Sequence, residues 1–149
     1  MQYEFICTTF QELSLDELYE ILQLRSAVFV VEQEAIYQDL DALDQDALHL
    51  RMFKDGKLAA YARILKANTY LDEVAIGRVI AVQRNAGHGK AIFTKAIEIA
   101  QSAFEAQKIK IRAQLQAEHF YSKIGFKRFS EPFMYEGLMH LDMIWEKNT

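Results

Sequence analysis

Apolar positions along this chain change their period several times, and each change marks an element. Residues 3–7 read as a short strand. In Leu13-Ser14-Leu15-Asp16-Glu17-Leu18, Ser14 can cap a helix, Glu17 can reach back to the Ser14 amide, and Leu13 and Leu18 are spaced as a hydrophobic staple. The spacing predicts a helix to about residue 30, with Leu15, Leu18, Ile21, Leu22 and Val28 on its apolar stripe. A polar, acidic stretch covers 32–46. Residues 49–54 and 58–66 then flank Asp55-Gly56, a strong hairpin signal. A third strand spans 74–82, and its nearly continuous apolar run suits a sheet covered on both faces. After Gly87-His88-Gly89, the residues Ile92, Phe93, Ala96, Ile97, Ala100 and Phe104 keep helical spacing to about 107. A strand at 109–112 follows, then a short helix over 116–124 stopped by Gly125 as a left-handed cap. Residues 126–129 and 138–145 form a closing antiparallel pair. This order predicts an α/β fold with one central mixed sheet and helices on both faces.

Composition narrows the picture without changing it. A chain of 149 residues suits a single domain spanning 1–149, and 51% hydrophobic with 26% charged residues supports an ordinary folded core. Pro132 is the only proline, and no linker, repeat or low-complexity segment interrupts the chain. A net charge of −4 argues against nucleic acid, which needs a dense basic face. Cys7 stands alone, so neither an intramolecular disulfide nor a cysteine-built metal site is expected. The opening residues carry Glu4 and no basic segment leading into an apolar run, unlike a secretory signal. No apolar run approaches the roughly 18 residues that would span a bilayer. A cytoplasmic protein is expected.

The chemistry concentrates between the third strand and the long helix, in Val82-Gln83-Arg84-Asn85-Ala86-Gly87-His88-Gly89-Lys90. Glycines there let backbone amides converge, and a helix N-terminus adds positive potential, so a pyrophosphate is the natural guest. A P-loop would need glycine at 84 and Ser or Thr after Lys90, where Arg84 and Ala91 stand. A dinucleotide fingerprint would need glycine at 92, where Ile92 stands. Arg84-x-x-Gly87-x-Gly89 instead resembles the acetyl-CoA loop of the GNAT superfamily. Ala117-x-x-Phe120-Tyr121-x-x-x-Gly125-Phe126, after a strand ending in Ala113-Gln114, is similar to the second GNAT signature. Further residues resemble the ElaA-type branch: Leu24-Arg25-x-x-Val28-Phe29-Val30-Val31-Glu32-Gln33, then Tyr37, Asp39, Asp41, Asp44 and His49, then Ile76-Gly77-Arg78-Val79-Ile80 and Glu136-Gly137-Leu138-x-His140-x-x-Met143. The loop departs from relatives, which place more residues before the arginine. Either two residues are missing before Arg84, or Ala86 replaces the arginine and Gly87, Gly89 and Ala91 are the small positions. The first register gives Ile92 and Phe93 the helix's first core contacts.

The resemblance implies an acetyl-CoA-dependent N-acetyltransferase acting without metal on a primary amine of a small molecule or peptide, by direct attack. It implies Tyr121 as general acid toward the departing thiolate, and Val79 and Ala81 gripping the pantetheine. The amides of Gly87, His88 and Gly89 would hold the pyrophosphate beside Arg84, with Asn85, Ala86 and Lys90 completing the loop. Glu73 is the expected base, near where some relatives carry a catalytic carboxylate, with His140 and His49 as alternatives. Glu32 and Gln33 follow an apolar run at the helix exit and are expected in an acceptor pocket with Asp39 and His140. Asp39, Asp41, Asp44 and Asp46 form either a lure for cationic acceptors or a solvated acidic loop. The partners expected are acetyl-CoA and the amine, with no nucleic acid or membrane and a homodimer left open. An acyl-CoA sensor without turnover, or an interaction domain on the same fold, is the alternative.

Overall fold

The computed structural model describes residues 3–148. The elements are β1 (Tyr3–Thr9), α1 (Leu15–Arg25), β2 (Leu48–Lys54), β3 (Lys57–Leu65), β4 (Val74–Ala81), α2 (His88–Phe104), β5 (Lys108–Gln114), α3 (Glu118–Ile124), β6 (Lys127–Arg128), β7 (Phe133–Tyr135) and β8 (Leu138–Glu146). They form one sheet in the order β1-β2-β3-β4-β5-β8-β6, with β7 also pairing β8. Only β4 and β5 run parallel; the other pairs are antiparallel, so the sheet is mixed as expected.

Local chemistry explains the element ends. The Ser14 hydroxyl accepts from the Glu17 amide at 3.1 Å, and the Glu17 carboxylate accepts from the Ser14 amide at 2.8 Å, so the capping box is closed. Asp55 and Gly56, both at positive φ, make the two-residue turn between β2 and β3. Gly125, at φ 118, ends α3 in the left-handed region. Three features depart from the sequence reading. Leu15, expected on the apolar stripe of the first helix, is exposed. The first helix turns from α to π geometry over Ser26–Glu32. The strand over 138–145 hairpins with β7 through Glu136-Gly137, while β6, only two residues long, pairs with it from farther back.

Strand alternation gives the sheet two different buried faces. On β2 and β3, Leu50, Met52, Ala60, Ala62 and Ile64 join Ile92, Phe93, Ala96 and Ala100 of α2 in the apolar core. Ile92 and Phe93 are fully buried, and each contributes about 1.5–3 kcal/mol by leaving water. The intervening His49, Arg51, Tyr61 and Arg63 are also buried, on the face that meets α1, where Arg51 donates to Glu17 at 3.2 Å.

That polar face is closed by the acidic stretch. Arg25 contacts Asp39 at 3.0 Å and Asp44 at 2.7 Å. Arg63 contacts Asp44 at 3.0 Å and Asp41 at 2.8 Å. Arg78 contacts Asp41 at 3.3 Å and Asp39 at 2.7 Å. The six groups form a closed ring in which every charge has two partners of opposite sign. This corrects both sequence expectations for the stretch: the carboxylates of buried Asp39 and Asp44 and of half-buried Asp41 are all engaged by arginines of this chain, and Asp46 alone of the four is exposed outside the ring.

The ring makes a stability prediction. Asp44→Ala deprives both Arg25 and Arg63 of a carboxylate, and the cost is about 3–5 kcal/mol, read from urea unfolding at pH 7. Burial pushes the Asp41 and Asp44 carboxyls up, but their arginine partners outweigh it and hold both below the ordinary value. Their stabilisation is therefore complete above about pH 3.9 and is lost as pH falls further, through the depressed folded values. Urea midpoints measured across that acid range test the sign.

Candidate active site

Beta-strands 4 and 5 pair only at Val74↔Ile109 and Ala75↔Lys110, then diverge. Beyond the last pair, the strands line a cleft of about 520 Å³ that also takes in Leu24, Val28, Phe29, Tyr121 and His140. Because β4 has lost its neighbour on this side, its alternate peptide groups over 76–81 face the cleft rather than a strand. Val79 and Ala81 both line it. Ala81 sits opposite Ala60, whereas Arg78 and Val79 together oppose Ala62, a bulge in β4.

At the open end of β4 the chain turns into α2. Gly87, at φ 78, is the helix N-cap and offers no side-chain cap. The first ladder bond runs from the Ala91 amide to the Gly87 carbonyl at 3.1 Å, so the amides of His88, Gly89 and Lys90 have no intrahelical acceptor. These donors and the helix dipole form a site for an anion. The His88 side chain is buried against the Tyr3 ring, 5.6 Å between centroids, so this residue offers the site its amide and not its imidazole. A Cβ at Gly89 would meet the Phe120 ring at 3.5 Å, an ordinary contact. Arg84 is exposed and forms an ion pair with Glu32 across the cleft mouth. Asn85 and Lys90 are exposed and Ala86 is half-buried.

Helix α3 brings Tyr121 to the cleft wall. Its ring lies 5.0 Å from Phe93 and 6.2 Å from Phe126, and burial pushes its phenol up to about 12. The hydroxyl keeps its proton at pH 7. Phe120, its neighbour, is not a core residue; it is exposed beside Gly89.

The Acetyltransferase (GNAT) domain family matches residues 11–147. Protein ElaA of Escherichia coli K12 is 39% identical over 139 residues, covering 91% of each chain. The crystal structure of Escherichia coli ElaA superposes with a TM-score of 0.89 at 37% identity, covering 97% of this chain and 100% of that one. An acyl-CoA N-acyltransferase from Pseudomonas aeruginosa superposes with a TM-score of 0.87 at 33% identity, covering 95% and 99%. The chain belongs to the GNAT acetyltransferases. Within that family it is of the ElaA type, and it is an acyltransferase.

GNAT enzymes use acetyl-CoA, and the residues present fit that group: the uncapped amides of α2 suit its pyrophosphate, and the splayed strands suit an extended arm. Among the described residues, no cluster of three His, Cys, Asp or Glu side chains is placed to hold a metal ion, and no helix is long and apolar enough to cross a membrane.

The other GNAT site candidates fall on both sides of the cleft wall. Glu32 and Gln33, at the end of the π-helical turn, line it, and Gln33 accepts from Gln114 at 3.1 Å. His140 also lines it, and its Nδ1 lies 2.9 Å from the Leu138 carbonyl. A carbonyl only accepts, so Nδ1 carries the proton and, in the neutral ring, Nε2 is a bare acceptor. His49 is different: Nε2 donates to the Asp44 carbonyl at 2.8 Å, and Nδ1 accepts from the Tyr61 hydroxyl at 2.7 Å. Burial lowers its pKa, and with both nitrogens used it is a structural residue.

Two sequence candidates are placed elsewhere. Asp39 lies in the ion ring, with its carboxylate on Arg25 and Arg78, and does not line the cleft. Glu73 precedes β4 at the end where β4 and β5 still pair, about 20 Å of extended chain from Val79. The sequence reading missed the far wall. There Arg112 pairs with Asp142 at 2.9 Å and lies over the rings of Tyr70, Phe133 and Tyr135 at 5.5, 5.1 and 4.8 Å. Arg112 alternates with apolar residues in β5, a signal that it faces the opposite side from the core.

Gly89→Ala should fold and bind acetyl-CoA nearly as the parent does. Gly89→Val adds two branches where ligand must approach the backbone, and affinity should fall by roughly tenfold or more, about 1.4 kcal/mol. Calorimetric titration decides, and unchanged affinity in the valine variant removes the loop from the site.

Proposed function

We propose that this enzyme transfers an acetyl group from acetyl-CoA to a primary amine of a small molecule or peptide, by direct attack within the cleft between β4 and β5. The observation that carries the reading is one wall holding a protonated phenol, Tyr121, and another holding an imidazole, His140, with one nitrogen fixed and the other free. Bound acetyl-CoA supplies a thioester whose carbonyl a neutral amine can attack. The amides of His88, Gly89 and Lys90 hold its pyrophosphate, with Arg84 beside them, and the peptide groups of Val79 and Ala81 receive its arm and polarise the carbonyl. An alkylamine of pKa about 10.4 is mostly protonated at pH 7, and freeing its lone pair costs about 4–5 kcal/mol. His140 Nε2 accepts that proton in this scheme, in place of Glu73, the base first expected. Tyr121 donates to the departing thiolate. Glu32 and Gln33, at the opposite rim, face the acceptor.

Release of CoA thiol against a panel of polyamines, aminoglycosides, amino acids and peptides tests the activity and identifies the acceptor. Tyr121→Phe keeps the ring and removes the hydroxyl, so acetyl-CoA affinity should stay within about twofold while kcat falls on the order of 10²-fold. His140→Gln should lower kcat by a similar factor. If kcat of Tyr121→Phe is within about twofold of the parent, with chemistry limiting turnover, Tyr121 is a packing residue.

A further inference from the structure

Arg78 combines two features found together nowhere else among the described residues. It is the one non-glycine residue at positive φ, 53°, that lies inside a strand; the others occupy loops, turns and a helix cap. It is also a corner of the buried ion ring. Its Nη2 donates to the Asp39 carbonyl at 2.9 Å and to Asp41 at 3.3 Å, its Nε lies 2.7 Å from Asp39, and the Tyr37 ring lies 5.9 Å from its guanidinium carbon. A left-handed conformation is unfavourable for an arginine, and glycine would adopt it without strain. The surrounding structure must therefore impose it.

We infer that Arg78 is a positioning residue, whose clamped guanidinium holds its own backbone left-handed and so fixes the bulge that presents the Val79 peptide to acyl-CoA. The inference rests on the proposed use of β4 by acyl-CoA. The force travels a short way: Asp39 and Asp41 are themselves held by Arg25 and Arg63, and Arg63 lies opposite Gly77, next to the bulge. Without the clamp, an ordinary residue at 78 relaxes toward extended φ. The two-against-one pairing of Arg78 and Val79 with Ala62 then shifts, and the Val79 peptide turns with it.

The test compares Arg78→Ala with Arg78→Gly. Both lose the same ion pairs, but only glycine adopts φ near 53° freely. In the free proteins, the three-bond HN–Hα coupling of residue 78 and the Val79 amide shift should change in Arg78→Ala and stay closer to the parent in Arg78→Gly. Acetyl-CoA affinity by calorimetry should fall about tenfold in the alanine variant and by no more than about threefold in the glycine variant. Asp41→Asn, a milder change, should weaken acetyl-CoA binding in the parent and have no further effect in the Arg78→Gly background. Equal losses in the alanine and glycine variants would show that the guanidinium acts by charge alone and would overturn the inference, as would an Asp41→Asn effect of the same size in both backgrounds. If the parent fails to bind acetyl-CoA, the proposed function falls instead, and the coupling in the free proteins still decides the inference: an unchanged residue 78 in Arg78→Ala overturns it.

Discussion

Three guanidiniums and three carboxylates packed into one face of a small domain impose a strict condition: each must find its partners, because an unpaired charge there costs several kcal/mol. The closed ring meets that condition with two partners per group. Its arginines come from the end of α1, the C-terminal half of β3 and the bulge of β4, and its aspartates all come from one loop. The loop has little regular structure, yet it is pinned at three points to elements that build the cleft. His49 adds a fourth tie by donating to the Asp44 carbonyl while its other nitrogen holds Tyr61.

The apolar face works differently. It depends on area and shape, with α2 packed across β2, β3 and β4. The same helix leaves the amides of its first turn uncapped, and that turn follows β4 across the loop at 82–87. The cleft is thus placed by connectivity: the strand that loses its parallel neighbour leads straight into the helix whose amides are uncapped. In the proposed function, binding of acetyl-CoA and stability of the core draw on one element, with burial at Ile92 and Phe93 fixing the helix whose first amides are uncapped.

Much of this was legible in the chain because it depends on near neighbours. The capping box at Ser14 and Glu17, the Asp55-Gly56 turn and the Gly125 cap are written in adjacent residues and occur as read. The strand, glycine loop and long helix were equally plain, and the order of elements led to the mixed sheet. The acidic run could not be read, since its meaning lies in Arg25, Arg63 and Arg78, up to 39 residues away in sequence. A buried arginine in an otherwise apolar strand, as at Arg63, was the available hint. Choosing among Glu73, His49 and His140 likewise required knowing which ends of β4 and β5 diverge and which imidazole nitrogens are already bonded.

The π-helical turn at Ser26–Glu32 has a bearing on how this chain could change length. A π turn holds about one residue more than an α turn over the same rise. Removing a single residue from it lets an ordinary α-helix form through to Gln33, with Arg25 still anchored in place. The extra residue is taken up within the turn itself, so its loss redistributes the side chains inside the turn while the chain beyond keeps its direction. Val28, Phe29, Glu32 and Gln33 line the cleft through this turn. A one-residue deletion here would therefore change which side chains of this turn line the cleft while leaving the sheet, the ion ring and α2 in place, a route to reshaping one cleft wall by indel rather than by substitution.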